Sequence, residues 1–165
     1  MKKRFVIILL FALGISLELH SQGELYQHPA YDISFKATPN WIVSYQDSES
    51  KGYSAVHPNH NMEISLGYVP GCKRPVRYMR RLSGLKGLVC HRGEYDTILN
   101  NQEAMVMTGN CLEGRESYST MVIGFPTDNG LYLMEISCPE DCTPTHRARV
   151  KSILKTVRIG NSSTI

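Results

Sequence analysis

Apolar and polar residues alternate with a period of two along most of this chain, and that pattern constrains the fold more than any other feature. A period of two puts apolar side chains on one face of an extended strand. Tyr31, Ile33 and Phe35 follow it, and after Pro39-Asn40 the residues Trp41, Val43 and Tyr45 repeat it, which predicts a first hairpin-like pair of strands. YSAVH at 53–57 and the series Met62, Ile64, Leu66 and Tyr68 predict two more, with PNHN as the turn between them. AMVMTG at 104–109 and SYSTMVIGF at 117–125 continue the sheet. Before LYLMEIS stands TDNG, whose Asn129-Gly130 pair accepts positive φ at both central positions and so predicts a tight two-residue hairpin. Trp41, after a turn, reads as a core anchor.

Two segments change period. In 144–157 the residues Val150, Ile153, Leu154 and Val157 follow helical spacing, with Thr143 placed as N-cap and Pro144 at the first helical position. In 73–89 Tyr78, Leu82, Leu85 and Val89 form an apolar stripe, with Lys73, Arg77, Arg80 and Arg81 on the opposite face. Gly84 and Gly87 weaken its second half, each by up to about 1 kcal/mol relative to alanine. Strands, basic helix, strands and C-terminal helix make an α+β domain, an antiparallel meander with helices packed on its faces.

The chain begins with Lys2, Lys3 and Arg4 and then FVIILLFALGISL, too short a run for a stable membrane span. This reads as a secretory signal over residues 1–22, followed by one domain over 23–159 and a disordered tail over 160–165. The location expected is periplasmic or secreted. Lys2, Lys3, Arg4 and Glu18 would leave with the signal, taking the formal charge from +3 to about +1. So small a net charge points to no class of partner.

Cys72, Cys90, Cys111, Cys138 and Cys142 all lie in the exported part, where oxidation favours disulfides and the odd count leaves one thiol over. SCPEDCTPTH spaces Cys138, Cys142 and His146 four apart. Zinc suits thiolate and imidazole, but this spacing is not a recurrent one and a structural site needs a fourth ligand. A redox pair usually has CxxC spacing rather than CxxxC. The expectation is a structural disulfide from Cys138 or Cys142, to each other or to Cys111. Cys72 and Cys90 bracket the basic helix and can pair if it breaks at Ser83-Gly84. His57 and His60, in HPNH, lack a third ligand and read as solvated turn residues. Neither a nucleophile elbow nor HExxH occurs, and no cofactor is called for.

YDISFKATPNW near the start, and GLYLMEISCP leading through a helix to ILKTVRI, resemble the PsbP-like fold superfamily. Its members include the extrinsic photosystem II protein, a Ran-binding nuclear transport factor and exported bacterial proteins of unknown role. The resemblance implies a sheet with helices on both faces, used as a docking or assembly scaffold rather than as an enzyme. No functional residue of those members maps onto a motif here. From Ile64 to Gly93 there is no acidic residue, while Lys73, Arg74, Arg77, Arg80 and Arg81 cluster within that stretch. The expected function is therefore a non-enzymatic binding module with a basic helical face for an acidic protein, an anionic glycan or a membrane surface. Nucleic acid fits the charge but not an exported location. The alternative is a small thiol-redox or metal-dependent enzyme using Cys138 and Cys142.

Overall fold

The computed structural model describes residues 23–47, 51–59, 61–85, 88–113, 116–139 and 144–160. The signal segment, Thr143, Cys142, His60, Gly87 and 161–165 of the tail lie outside the described residues. Ten strands and two helices follow in order among the described residues: β1 (Glu24–Gln27), β2 (Ile33–Ala37), β3 (Ile42–Gln46), β4 (Gly52–His57), β5 (Met62–Pro70), α1 (Pro75–Leu85), β6 (Leu88–Leu99), β7 (Gln102–Glu113), β8 (Glu116–Thr127), β9 (Gly130–Pro139), α2 (Pro144–Leu154) and β10 (Arg158–Ile159).

Seven strands form one antiparallel sheet in the order β3-β4-β5-β9-β8-β7-β6, and β1-β2-β10 form a second, smaller one. Alternation along the long strands gives the large sheet two apolar faces. One carries Met62, Ile64, Leu66, Ile123, Phe125, Met134 and Ile136, and it is covered by Ile33 and Phe35 of the small sheet and Ile153 of α2. The other carries Met105, Met107, Val122 and Leu131, and it is covered by Met79 of α1. The domain is thus α+β with helices on opposite faces of an antiparallel sheet. Each fully buried side chain of the Ile33 or Phe35 kind contributes about 1.5–3 kcal/mol. Trp41 is buried among them, as expected for an anchor.

Several local expectations need correction. The segments 31–35 and 41–45 do not pair with each other. β2 lies between β1 and β10, whereas β3 pairs with β4. Alternation reveals that a strand exists and which face it buries, but not its partner. The basic helix ends at Leu85, passing through Ser83-Gly84 without a break, and Val89 belongs to β6. Its match to the helical stripe was fortuitous. The C-terminal helix starts at Pro144 as the sequence requires but stops at Leu154, leaving Val157 buried beyond its end.

The hairpin at 127–130 forms with a shifted turn. Thr127 pairs with Gly130, so Asp128 and Asn129 are the loop residues, and neither has a positive φ. Gly130 is required for a different reason: a Cβ there would collide with the backbone oxygen of Val69 on β5. Asn129 O accepts bonds from the Tyr68 hydroxyl and from Gly71 N, both at 2.8 Å, so the turn is latched to the end of β5. A true positive-φ hairpin occurs at Asn100 and Asn101, with φ of 52° and 65°, between the paired residues Leu99 and Gln102.

Candidate functional site

The basic residues at 73–81 of the acid-free stretch lie on and just before α1. Arg74 precedes Pro75 at the first helical position, and Tyr78 N donates to Arg74 O at 3.0 Å to close the first turn of α1. On the inner side Met79, 2% exposed, anchors the helix, with Tyr78, Leu82 and Cys72 half-buried around it. Its sulfur sits over Gly124, where a Cβ would approach it to 3.0 Å. Lys73, Arg74, Arg77, Arg80 and Arg81 are all exposed. Arg77, Arg80 and Arg81 are therefore brought together on α1, with Lys73 and Arg74 immediately before it, and Met79 is the buried side chain that holds the helix down. The first turn contains no acidic residue. Cations at the positive end of a helix dipole cost about 0.3–1 kcal/mol each, so their field adds to that of the helix.

The cysteines are dispersed. Cys72 carries a free thiol, half-buried against the Met79 cluster, so the expected staple to Cys90 is not formed. Cys138 is buried on β9, and its thiol donates to Ser119 O at 3.7 Å. It stands beside Ser119 on β8 and is joined to no second sulfur, so the expected bond from Cys138 to Cys142 or Cys111 is not formed. Cys111 pairs with Tyr118 on the far side of that strand, two strand spacings from β9, or about 9.6 Å. That exceeds the reach of a direct Cys111–Cys138 bond. Cys142 lies outside the described residues, and His146 sits in the first turn of α2. No group of three metal-ligating side chains comes together among the described residues.

A cluster of rings escaped the sequence reading. His28 is 1% exposed and stacks on Tyr31 at 4.5 Å, with Tyr45 and Tyr53 at 5.6 and 5.7 Å; Tyr31 in turn meets Tyr68, and Tyr68 meets Tyr132. Ala30 N and Tyr31 N both donate to His28 Nδ1 at 3.1 Å, which makes Nε2 the protonated nitrogen, donating to Lys51 O at 2.8 Å. Burial lowers the His28 pKa. Burial likewise raises the Tyr45 and Tyr68 hydroxyls and pushes Tyr53 up to about 12. The cluster holds a neutral imidazole and protonated phenols near pH 7, an arrangement for packing rather than for proton transfer. His57, expected in solvent, is instead buried edge-on to Trp41 at 5.3 Å, and burial followed by the Arg149 charge lowers its pKa.

No protein-family profile matches the chain, and no curated protein matches it. Solved structures do. A cyanobacterial PsbP, CyanoP from Synechocystis, is 12% identical and superposes with a TM-score of 0.61 over 85% of this chain and 94% of its own. The fold is PsbP-like. A second structure with this PsbP-like architecture is LpqN of Mycobacterium tuberculosis, described as involved in cell envelope biogenesis. It is 15% identical, with a TM-score of 0.54 over 82% of this chain and 89% of LpqN. A Bacteroides thetaiotaomicron structure is 11% identical with a TM-score of 0.60 over 87% of this chain, which spans half of that longer one. At these identities the likeness extends to the fold alone.

Proposed function

We propose that this chain is an exported, non-enzymatic docking or assembly module whose helix α1 presents a cationic face to an anionic partner. The observation that carries the reading is the surface of α1 and the two residues before it: five exposed basic side chains, from Lys73 to Arg81, with no acid in the first turn. A helix that only covers a sheet commonly relieves such repulsion with acidic residues three or four positions away. The partner classes that fit are an acidic protein, a phosphorylated or carboxylated glycan, or an anionic membrane. Export is supported by the basic and apolar N-terminus and by the fold shared with an envelope-biogenesis protein. No described helix is long and apolar enough to cross a membrane. The rival, a thiol-redox or metal-dependent enzyme on Cys138 and Cys142, has weaker support, because a sulfur buried as deeply as that of Cys138 is poorly accessible to a substrate.

The test replaces Arg77, Arg80 and Arg81 with glutamine. Retention on an anionic matrix and capture of partners from the exported fraction should both fall, and binding by the native protein should weaken as salt rises, since exposed charges are screened over about 8 Å at physiological ionic strength. Unchanged retention and unchanged partners would reduce α1 to a solvated outer helix.

A further inference from the structure

A second cationic surface lies on the opposite side of the large sheet from α1, and it is concave. β2, the end of α2, β10 and the Asn100-Asn101 turn enclose a groove of about 870 Å³ lined by Lys36, Lys155, Arg158, Asn101 and Thr156, with Asn100 and Gln102 at its wall. No carboxylate lines it. The sequence carries the corresponding signal: from Cys142 to Ile165 there is no Asp or Glu, while Arg147, Arg149, Lys151, Lys155 and Arg158 are present. Lys36 and Arg158 project from the same outer face of the small sheet, because Arg158 pairs with Ser34, two residues from Lys36.

The frame of this groove is fixed by side-chain hydrogen bonds. Asn100 Nδ2 donates to Leu154 O and Val157 O, each at 2.8 Å, and Gln102 Nε2 donates to Ile159 O at 3.0 Å. Thr156 Oγ1 accepts from Lys36 N at 2.8 Å and lies 3.0 Å from Lys36 O. Such bonds hold the walls in place before a ligand arrives, which lowers the entropic cost of binding. The lining therefore combines three cations with the side-chain amides of Asn100, Asn101 and Gln102 and the hydroxyl of Thr156. A bare phosphate fits the cations but spans little of the polar lining, whereas a sugar bearing acidic groups offers its charge to the cations and several hydroxyls to the neutral polar groups. Val157 and Ile159 of the lining are themselves buried, and polar atoms make up the larger part of the surface exposed in the groove, which favours a polar ligand over lipid. The volume lies in the upper part of the range for small-molecule sites and exceeds what a single ion needs.

We propose that this groove is a binding site for an anionic carbohydrate, a short glycan carrying carboxylate or phosphate groups, separate from the α1 face. The experiment titrates the mature protein at low salt with tetragalacturonate, with neutral maltotetraose and inorganic phosphate in parallel, and reads binding by calorimetry. Saturable binding of tetragalacturonate, with maltotetraose silent and phosphate weaker, is the expected result. Replacing Lys36, Lys155 and Arg158 together with glutamine should weaken it by about tenfold or more, since exposed charge contacts act jointly. The Arg77, Arg80 and Arg81 variant should bind as the native protein does, so failure of this site and failure of the α1 reading are separable. Asn101→Gly keeps a backbone suited to φ of 65° while removing the amide, and it should weaken binding several-fold in a protein that unfolds as the native one does. Absence of tetragalacturonate binding, equal binding of maltotetraose or of phosphate, or equal loss in the α1 variant would each overturn the proposal.

Discussion

Replacing Asn100 with alanine probes the joint on which the small sheet, α2 and the β6–β7 hairpin converge. Two separate costs can be read from the structure. The residue has a φ of 52°, and a left-handed conformation costs an ordinary L-residue roughly 1–2 kcal/mol. Its amide also donates two hydrogen bonds of 2.8 Å. The one to Leu154 O is solvent-exposed and deserves about 0.5 kcal/mol, while the one to Val157 O is partly buried and deserves about 1 kcal/mol. The sum is about 3 kcal/mol. Asn101, with φ of 65° but no such bonds to the helix end, supplies the control: Asn101→Ala should cost only the strain, about 1.5 kcal/mol. Asn100→Gly separates the terms, since it removes the strain and keeps the loss of bonds, and it should cost about 1.5 kcal/mol, half the effect of Asn100→Ala. Urea denaturation of all three variants measures the differences, with constant m-values indicating that only stability has changed. If Asn100→Ala costs no more than Asn101→Ala, the side-chain bridge from the hairpin to the end of α2 contributes nothing and the argument fails.

Two further predictions follow from the buried groups. His28 and His57 have pKa values lowered in the folded state, chiefly by burial, so the unfolded chain binds protons that the folded one refuses. Their contribution is complete above the unfolded value near 6.5 and is lost as pH falls through it, so the urea midpoint should drop between about pH 7 and pH 5; a midpoint constant over that range refutes the neutral, locked imidazole. Among the thiols, half-buried Cys72 should be alkylated in the native, unreduced protein, and buried Cys138 only once that protein is unfolded without reductant, since neither is joined to another sulfur. Protection of either in denaturant before reduction would refute the thiol assignment.

The sequence identified faces more reliably than neighbours, and the reason is physical. Alternation in 62–68 and 131–137 depends on burial within one strand, and the structure shows the same residues, Ile64, Leu66, Met134 and Ile136, on one buried face. Pairing depends on loops and on distant partners. β2 received β10 from the far end of the chain, and no local pattern in Ile33 to Phe35 encodes that. The helix boundary failed for a related reason. Val89 continued the spacing of Tyr78, Leu82 and Leu85 by coincidence, while the two glycines that weaken the helix gave a truer indication of its end. The Asn100-Asn101 hairpin is encoded by two turn residues that tolerate positive φ, whereas the Asn129-Gly130 pair folds with its turn one residue earlier than its dipeptide suggests.

The basic residues of α1 were legible because they lie close together in sequence and a helix needs only its period to gather them on one surface. The groove was not, since Lys36 stands about 120 residues from Lys155 and Arg158, and only the pairing of β10 with β2 and the bonds through Thr156 join them. The His28 cluster has the same character: Tyr31, Tyr45, Tyr53, Tyr68 and Tyr132 converge from five separate positions on one imidazole and its neighbours. A composition rich in tyrosine announces such rings without placing them. Charge that is local in sequence can therefore be read directly as a surface, whereas charge or aromaticity assembled by a sheet becomes visible only through strand order. Both cationic surfaces come from acid-free stretches, but only one of them is concave, and concavity here is produced by a positive-φ turn pinned to a helix end rather than by any feature of the basic residues themselves.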